Sequence, residues 1–228
     1  METRFVDCRA REAYLEGHIP GAAHADPEAD LTGDDGGGRH PLPRAEAFAA
    51  WASAAGIGSA TLVVGYDDGT GWAARLWWLL RHFGHDDAAV LRGGLDDLLG
   101  PLRAGEENIE AADFRLHPRD DDVVSAEEIE ERLGKPGFIL VDARAAERYR
   151  GEVEPIDPVA GHIPGAVNMP YTDEPSVIDP DAEVVVYCGS GITAAVTVLA
   201  LKRVGVEAKL YPGSWSEWSS RGLALERG

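Results

Sequence analysis

The chain carries the same block of residues twice, and that duplication limits its fold more than any other feature. Gly17-His18-Ile19-Pro20-Gly21-Ala22 recurs unchanged as Gly161-His162-Ile163-Pro164-Gly165-Ala166. A matching block stands before each: Phe5-Val6-Asp7-Cys8-Arg9 in the first copy, Leu140-Val141-Asp142-Ala143-Arg144 in the second. After each, Leu62-Val63-Val64-Gly65-Tyr66 answers Val184-Val185-Val186-Tyr187. Solenoid repeats run about 20–50 residues. A repeat this much longer, in a chain of 228 residues, divides the molecule into two domains.

Each copy alternates apolar runs of strand length with helical stretches. After the second run comes a helix (Ala194 to Val204 in the second copy), a short strand (88–91 or 208–211) and a glycine turn. Strand, helix and strand in alternation predict an α/β fold: two domains, each a parallel β-sheet flanked by helices. The expected division is residues 1–105, a polar linker at 106–122, and a second domain at 123–228. The second domain opens on Ser125-Ala126-Glu127-Glu128, a capping box. Two excursions depart from the repeat. Residues 152–160 are inserted in the second copy, and Asp30 to Pro43 of the first is a long Gly/Asp-rich stretch. Loops that long are usually functional or mobile.

Composition excludes several classes. The net charge is −19, which argues against nucleic-acid binding, because phosphate contacts need clustered Lys and Arg. No stretch has the roughly 18 consecutive apolar residues of a membrane span, and the first residues lack the apolar core of a signal peptide. The two cysteines, Cys8 and Cys188, make neither a disulfide framework nor a zinc pattern. A cytoplasmic protein without metal or cofactor is expected. An anionic substrate would need a local positive pocket.

Cys188 is the chemically loaded residue. It closes the apolar strand Val184 to Tyr187 and opens the loop Cys188-Gly189-Ser190-Gly191-Ile192-Thr193, which runs into a helix. A glycine-bearing strand-to-helix loop can turn several backbone N–H groups toward one point. The helix N-terminus adds roughly half a positive charge there. Both favour a thiolate. Without the glycines, a buried cysteine acting as a small hydrophobe would be the better reading, and that is the reading for Cys8. Trp77, Trp78, Trp215 and Trp218 read as core or interface packing.

The doubled Val-Asp-x-Arg and Gly-His-Ile-Pro-Gly-Ala blocks, with one cysteine loop in the second copy, resemble the tandem-domain rhodanese superfamily of sulfurtransferases. The resemblance implies transfer of sulfur through a Cys188 persulfide, from a small-molecule donor to a thiol or cyanide. It implies an inactive first domain, since Asp67 follows Tyr66 where Cys188 follows Tyr187. The loop wording resembles the 3-mercaptopyruvate form, whose loop backbone at Gly189, Gly191, Ile192 and Thr193 faces the donor. Thiosulfate-type members place basic residues where Gly189 and Ser190 stand. Arg148 matches one of two arginines that hold the mercaptopyruvate carboxylate. Ile156 stands where the second is expected. The family's Ser–His–Asp relay would map to Ser190, His18 and Asp7, making the first domain one wall of the site. Thiosulfate:cyanide transfer and a non-catalytic rhodanese-like binding module are the competing readings. A cysteine phosphatase would need an arginine at position 194, which is alanine.

Overall fold

The computed structural model describes residues 2–95, 100–175, 179 and 181–228. The chain forms two compact units. The first comprises Met1–Asp35 and Leu42–Arg119; the second comprises Asp120–Gly228 together with the short segment Gly36–Pro41. That segment is the middle of the Gly/Asp-rich excursion.

In the first unit, β1 (Glu2–Asp7), β2 (Ala23–His24), β3 (Thr61–Tyr66) and β4 (Ala88–Val90) form a sheet of order β2-β1-β3-β4. All its pairings are parallel. Its helices are α1 (Arg11–Glu16), α2 (Ala45–Ala54) and α3 (Trp72–His82). The second unit repeats the plan with β5 (Phe138–Asp142), β6 (Val167–Asn168), β7 (Glu183–Tyr187) and β8 (Ala208–Leu210), in the order β6-β5-β7-β8 and all parallel. Its helices are α4 (Ala126–Arg132), α5 (Ala146–Tyr149), α6 (Thr193–Arg203) and α7 (Ser214–Ser220). The α/β architecture read from the alternation is the one observed. Strands covered on both faces read as continuous apolar runs, and Val184, Val185 and Val186 are all buried.

The capping box forms as its spacing demands. The Ser125 hydroxyl accepts the Glu128 N–H, while the Glu128 carboxylate accepts the Ser125 N–H. The second core gathers Leu140, Ile163, Val185, Tyr187, Tyr211, Trp215 and Trp218. Both of these tryptophans are fully buried, and their indole N–H groups donate to Val159 O and Ala224 O. The polar stretch after residue 105 is strapped to the first unit through residue 119. Ala112 N–H donates to Ser53 O, His117 N–H to Phe83 O and Arg119 N–H to His82 O, and Phe114 is buried there.

The repeated motifs have one structural job in both units. Asp7 sits at the end of β1 and Asp142 at the end of β5, each fully buried. Arg9 grips Asp7 through Nε and Nη2, and its Nη2 also donates to Gly17 O at 2.6 Å. Arg144 grips Asp142 identically, its Nη2 reaching Gly161 O at 2.6 Å. The arginine thus ties the strand end to the Gly-His-Ile-Pro-Gly-Ala turn. Tyr66 and Tyr187 receive the N–H groups of Ile19 and Ile163 in that turn.

Candidate active site

Cys188 follows directly from β7 and is nearly fully buried. The Gly191 N–H donates to its Sγ at 3.1 Å. Gly191 has φ +84°, a left-handed conformation that glycine adopts at no steric cost; that conformation turns its N–H back onto the sulfur. Four residues beyond the loop's first glycine, α6 begins and presents its positive end.

A second helix end holds the loop from behind. Trp215 and Ser216, in the first turn of α7, donate their N–H groups to Cys188 O and Gly189 O, both at 3.0 Å. Ser214 adopts φ 54°, the one non-glycine residue with positive φ among the described residues. Such a conformation costs on the order of 1 kcal/mol or more. It allows the Ser214 hydroxyl to accept the Cys188 N–H at 3.2 Å while donating to Tyr211 O at 2.9 Å.

The other loop residues expected at the site are here: Gly189, Ser190, Gly191 and Ile192 span the loop, and Thr193 starts α6. Ser190 shares a 2.7 Å hydrogen bond between its Oγ and His40 Nδ1. His40 lies in the Gly36–Pro41 segment, so the contact is internal to the second unit. Arg39, beside it, anchors the segment by donating its N–H to Ser216 Oγ at 3.1 Å. Sequence reading did not find His40 or Arg39. Their signal was the long glycine-rich excursion itself.

His18 and Asp7, expected in a relay with Ser190, lie in the first unit, each with partners of its own there. His18 is buried in the first unit with Nδ1 2.8 Å from Tyr14 O and Nε2 3.3 Å from Glu107. Both ring nitrogens are therefore engaged. His162 repeats the arrangement, with Nδ1 2.8 Å from Tyr149 O and its ring stacked on Tyr149 as His18 stacks on Tyr14. Asp7 is held by Arg9. These groups fix turns, and the histidine on Ser190 is His40.

Arg148, on α5, is part of an ion-pair cluster. Its Nη2 donates to Glu154 at 2.7 Å, and Asp157 lies 3.4 Å from the same nitrogen. Arg39 also pairs with Asp157. Burial opposes the charge on Glu154, but Arg148 and the N–H groups of Asp157 and Ile156 outweigh it and hold its pKa below the usual carboxylate value.

The first unit's counterpart loop begins at Asp67. Its carboxylate accepts the N–H groups of Gly69, Gly71 and Ala73, each at 2.9 Å. A fixed anion thus fills the cradle. Cys8 is fully buried; that burial, with Asp67 and Asp7 adding to it, pushes its thiol pKa well above the ordinary value. It stays a thiol in the core.

The Rhodanese-like domain family matches residues 1–100 and 125–221. A Pseudomonas aeruginosa protein named "Probable 3-mercaptopyruvate sulfurtransferase" is 41% identical over 93% of this chain and 88% of its own. A Mycobacterium tuberculosis protein named "Putative thiosulfate sulfurtransferase SseB" is 39% identical over 91% of this chain and 82% of its own. Among solved structures, the 3-mercaptopyruvate sulfurtransferase SseA of Escherichia coli superposes with a TM-score of 0.81 at 33% identity, covering 94% of this chain and 93% of that one. No helix among the described residues is long and apolar enough to cross a membrane. Matched in both halves, and by full-length relatives at such identity, the chain belongs to the rhodanese-like family and is a two-domain sulfurtransferase.

Proposed function

We propose that the enzyme takes sulfur from 3-mercaptopyruvate, holds it on Cys188 as a persulfide, and passes it to a thiol or cyanide. The observation that carries this reading is the Gly191 N–H aimed at Cys188 Sγ in a loop without charged side chains. The Cys188 thiolate attacks the donor sulfur and a sulfur–sulfur bond forms. The donor's carbon–sulfur bond breaks, its electron pair passing to carbon, and pyruvate leaves as its enolate. The enolate takes up a proton to give pyruvate. An acceptor thiolate or cyanide then attacks the outer sulfur, and Cys188 departs as a thiolate. The Gly191 N–H and the α6 dipole favour negative charge on sulfur throughout.

Within this reading the Ser190–His40 pair holds and returns the proton at the enolate, and Arg148 takes the donor's carboxylate. The loop backbone from Gly189 to Thr193 lines the donor. The first domain is inactive because Asp67 replaces the nucleophile. Both cysteines are free, which suits a reducing compartment, and the enzyme is placed in the cytoplasm.

Thiosulfate is a dianion, whereas mercaptopyruvate carries a single carboxylate remote from its sulfur. A loop with glycine and serine after the cysteine therefore favours mercaptopyruvate. Steady-state kinetics with the two donors side by side test this, with a higher kcat/KM expected for mercaptopyruvate. A clear preference for thiosulfate would overturn the donor while leaving persulfide chemistry standing. Turnover of neither donor would favour the binding-module reading.

The histidines separate in a second measurement. General acid–base catalysis contributes about 10²–10⁴-fold. His40→Ala should therefore lower kcat by about two orders of magnitude with a nearly unchanged melting temperature. His18→Ala should lower the melting temperature and leave the rate per folded molecule unchanged. The reverse pattern would return the relay to His18.

A further inference from the structure

Position 156 is where a second carboxylate-binding arginine is expected, but Ile156 is 60% exposed there and carries no charge. A different arginine stands at the site. The position a Cβ on Gly189 would occupy lies 3.1 Å from Arg39 Nη2 and 3.4 Å from Arg148 Nη1. Two guanidinium groups, from residues far apart in the chain, thus converge on the residue next to Cys188.

The way they are held shows which nitrogens are available. Arg39 uses Nη1 on Asp157, and Arg148 uses Nε and Nη2 on Glu154 and Asp157. Asp157 touches both arginines, one oxygen to each, so their spacing is one that a single carboxylate can span. Arg39 Nη2 and Arg148 Nη1 donate to no partner among the described residues, and these are the nitrogens nearest Gly189. Acidic residues hold Arg39 Nη1 and Arg148 Nε and Nη2, while Arg39 Nη2 and Arg148 Nη1 are left to bind.

We propose that Arg39 replaces the missing arginine at position 156, and that Arg39 and Arg148 together clamp the carboxylate of an α-keto acid donor. The clamp rests on the mercaptopyruvate reading for its substrate. It assigns donor specificity to the glycine-rich excursion of the first repeat, which reaches the second unit through Gly36–Pro41. In a chain of net charge −19, with Glu154 and Asp157 balancing the two arginines, the clamp gathers an anion through directed N–H donors and not through net positive charge.

The test uses Arg39→Met, which keeps most of the aliphatic stem and the backbone N–H that binds Ser216. Loss of a charge-assisted hydrogen bond should raise KM for mercaptopyruvate about tenfold or more, with kcat much less affected. Arg39→Lys should recover part of the affinity, because the charge remains while the planar fork is lost; it also serves if the methionine variant folds poorly. Pyruvate, the keto-acid product, gives a readout that does not depend on the donor. It should inhibit the wild type competitively against whichever donor is used, with an inhibition constant raised about tenfold in Arg39→Met. If the wild type prefers thiosulfate, the donor reading fails, and Arg39 is judged on pyruvate alone. An unchanged pyruvate constant in Arg39→Met, or no inhibition of the wild type by pyruvate, would overturn the clamp.

Discussion

Cys188→Ser is expected to abolish turnover with every sulfur donor and to leave the fold intact. A serine fills nearly the same volume and can still accept the Gly191 N–H. Its hydroxyl remains protonated at neutral pH, however, and cannot carry a sulfane sulfur. Incubating the wild type with donor and removing the excess should add the mass of one sulfur atom, located on Cys188. The serine variant should gain nothing, and its rate should fall to the uncatalysed background. Cys8 is the internal control. It is buried, its pKa is raised by that burial, and its unit's anion cradle is filled by Asp67. Cys8→Ser should therefore keep its rate per folded molecule, even if an unpaired buried hydroxyl costs about 1–3 kcal/mol of stability. Residual turnover in Cys188→Ser, or an equal loss in Cys8→Ser, would reject the mechanism.

Most of the fold was readable because the repeat supplies two independent copies of each signal. The strand ending at Tyr187, the capping box at Ser125 and the helix after the cysteine loop differ from their expected bounds by a residue at most. These features are local: apolar runs, caps and glycine turns. The candidate loop was readable where it is local too, as a strand-to-helix turn from Cys188 to Thr193. It was not readable where it joins segments distant in sequence. His40 and Ser190 lie 150 positions apart, and no periodicity links them. The repeated residues carry a physical lesson. Asp7 and His18 have counterparts in Asp142 and His162 that make the same bonds. Residues repeated in both the copy with the cysteine and the copy without it serve what the copies share, and that is the turn. What differs between the copies is Cys188 against Asp67 and the glycine-rich excursion, and the proposed chemistry rests on those. A fragment starting at residue 123 would lack Arg39 and His40, so it would be deficient in donor binding and proton transfer even if it folds.

The largest stability effect is expected at Arg144. Its guanidinium side chain is 1% exposed and its partner Asp142 is 0% exposed. It donates twice to Asp142 through Nε, once through Nη2 at 2.6 Å, and again to Gly161 O. It also lies 4.7 Å over the Trp215 ring, which adds cation–π attraction. Arg144→Ala removes all of these together and leaves a buried carboxylate with no countercharge. Breaking one partner from a buried pair costs about 3–5 kcal/mol, a large share of the roughly 5–15 kcal/mol that holds a typical domain together. Calorimetry should show the transition of the second unit shifted down strongly or lost. Arg9→Ala, in the first unit, should cost less, because the Arg9 side chain is 14% exposed and water can reach its place. Replacing both members of the second pair, as Asp142→Ala with Arg144→Leu, should be milder than Arg144→Ala alone, since no unpaired charge stays buried. If Arg144→Ala costs less than about 1 kcal/mol, or the double variant is worse than the single, the pair is not what ties β5 to its turn. The Val-Asp-x-Arg motif would then need a reason other than architecture.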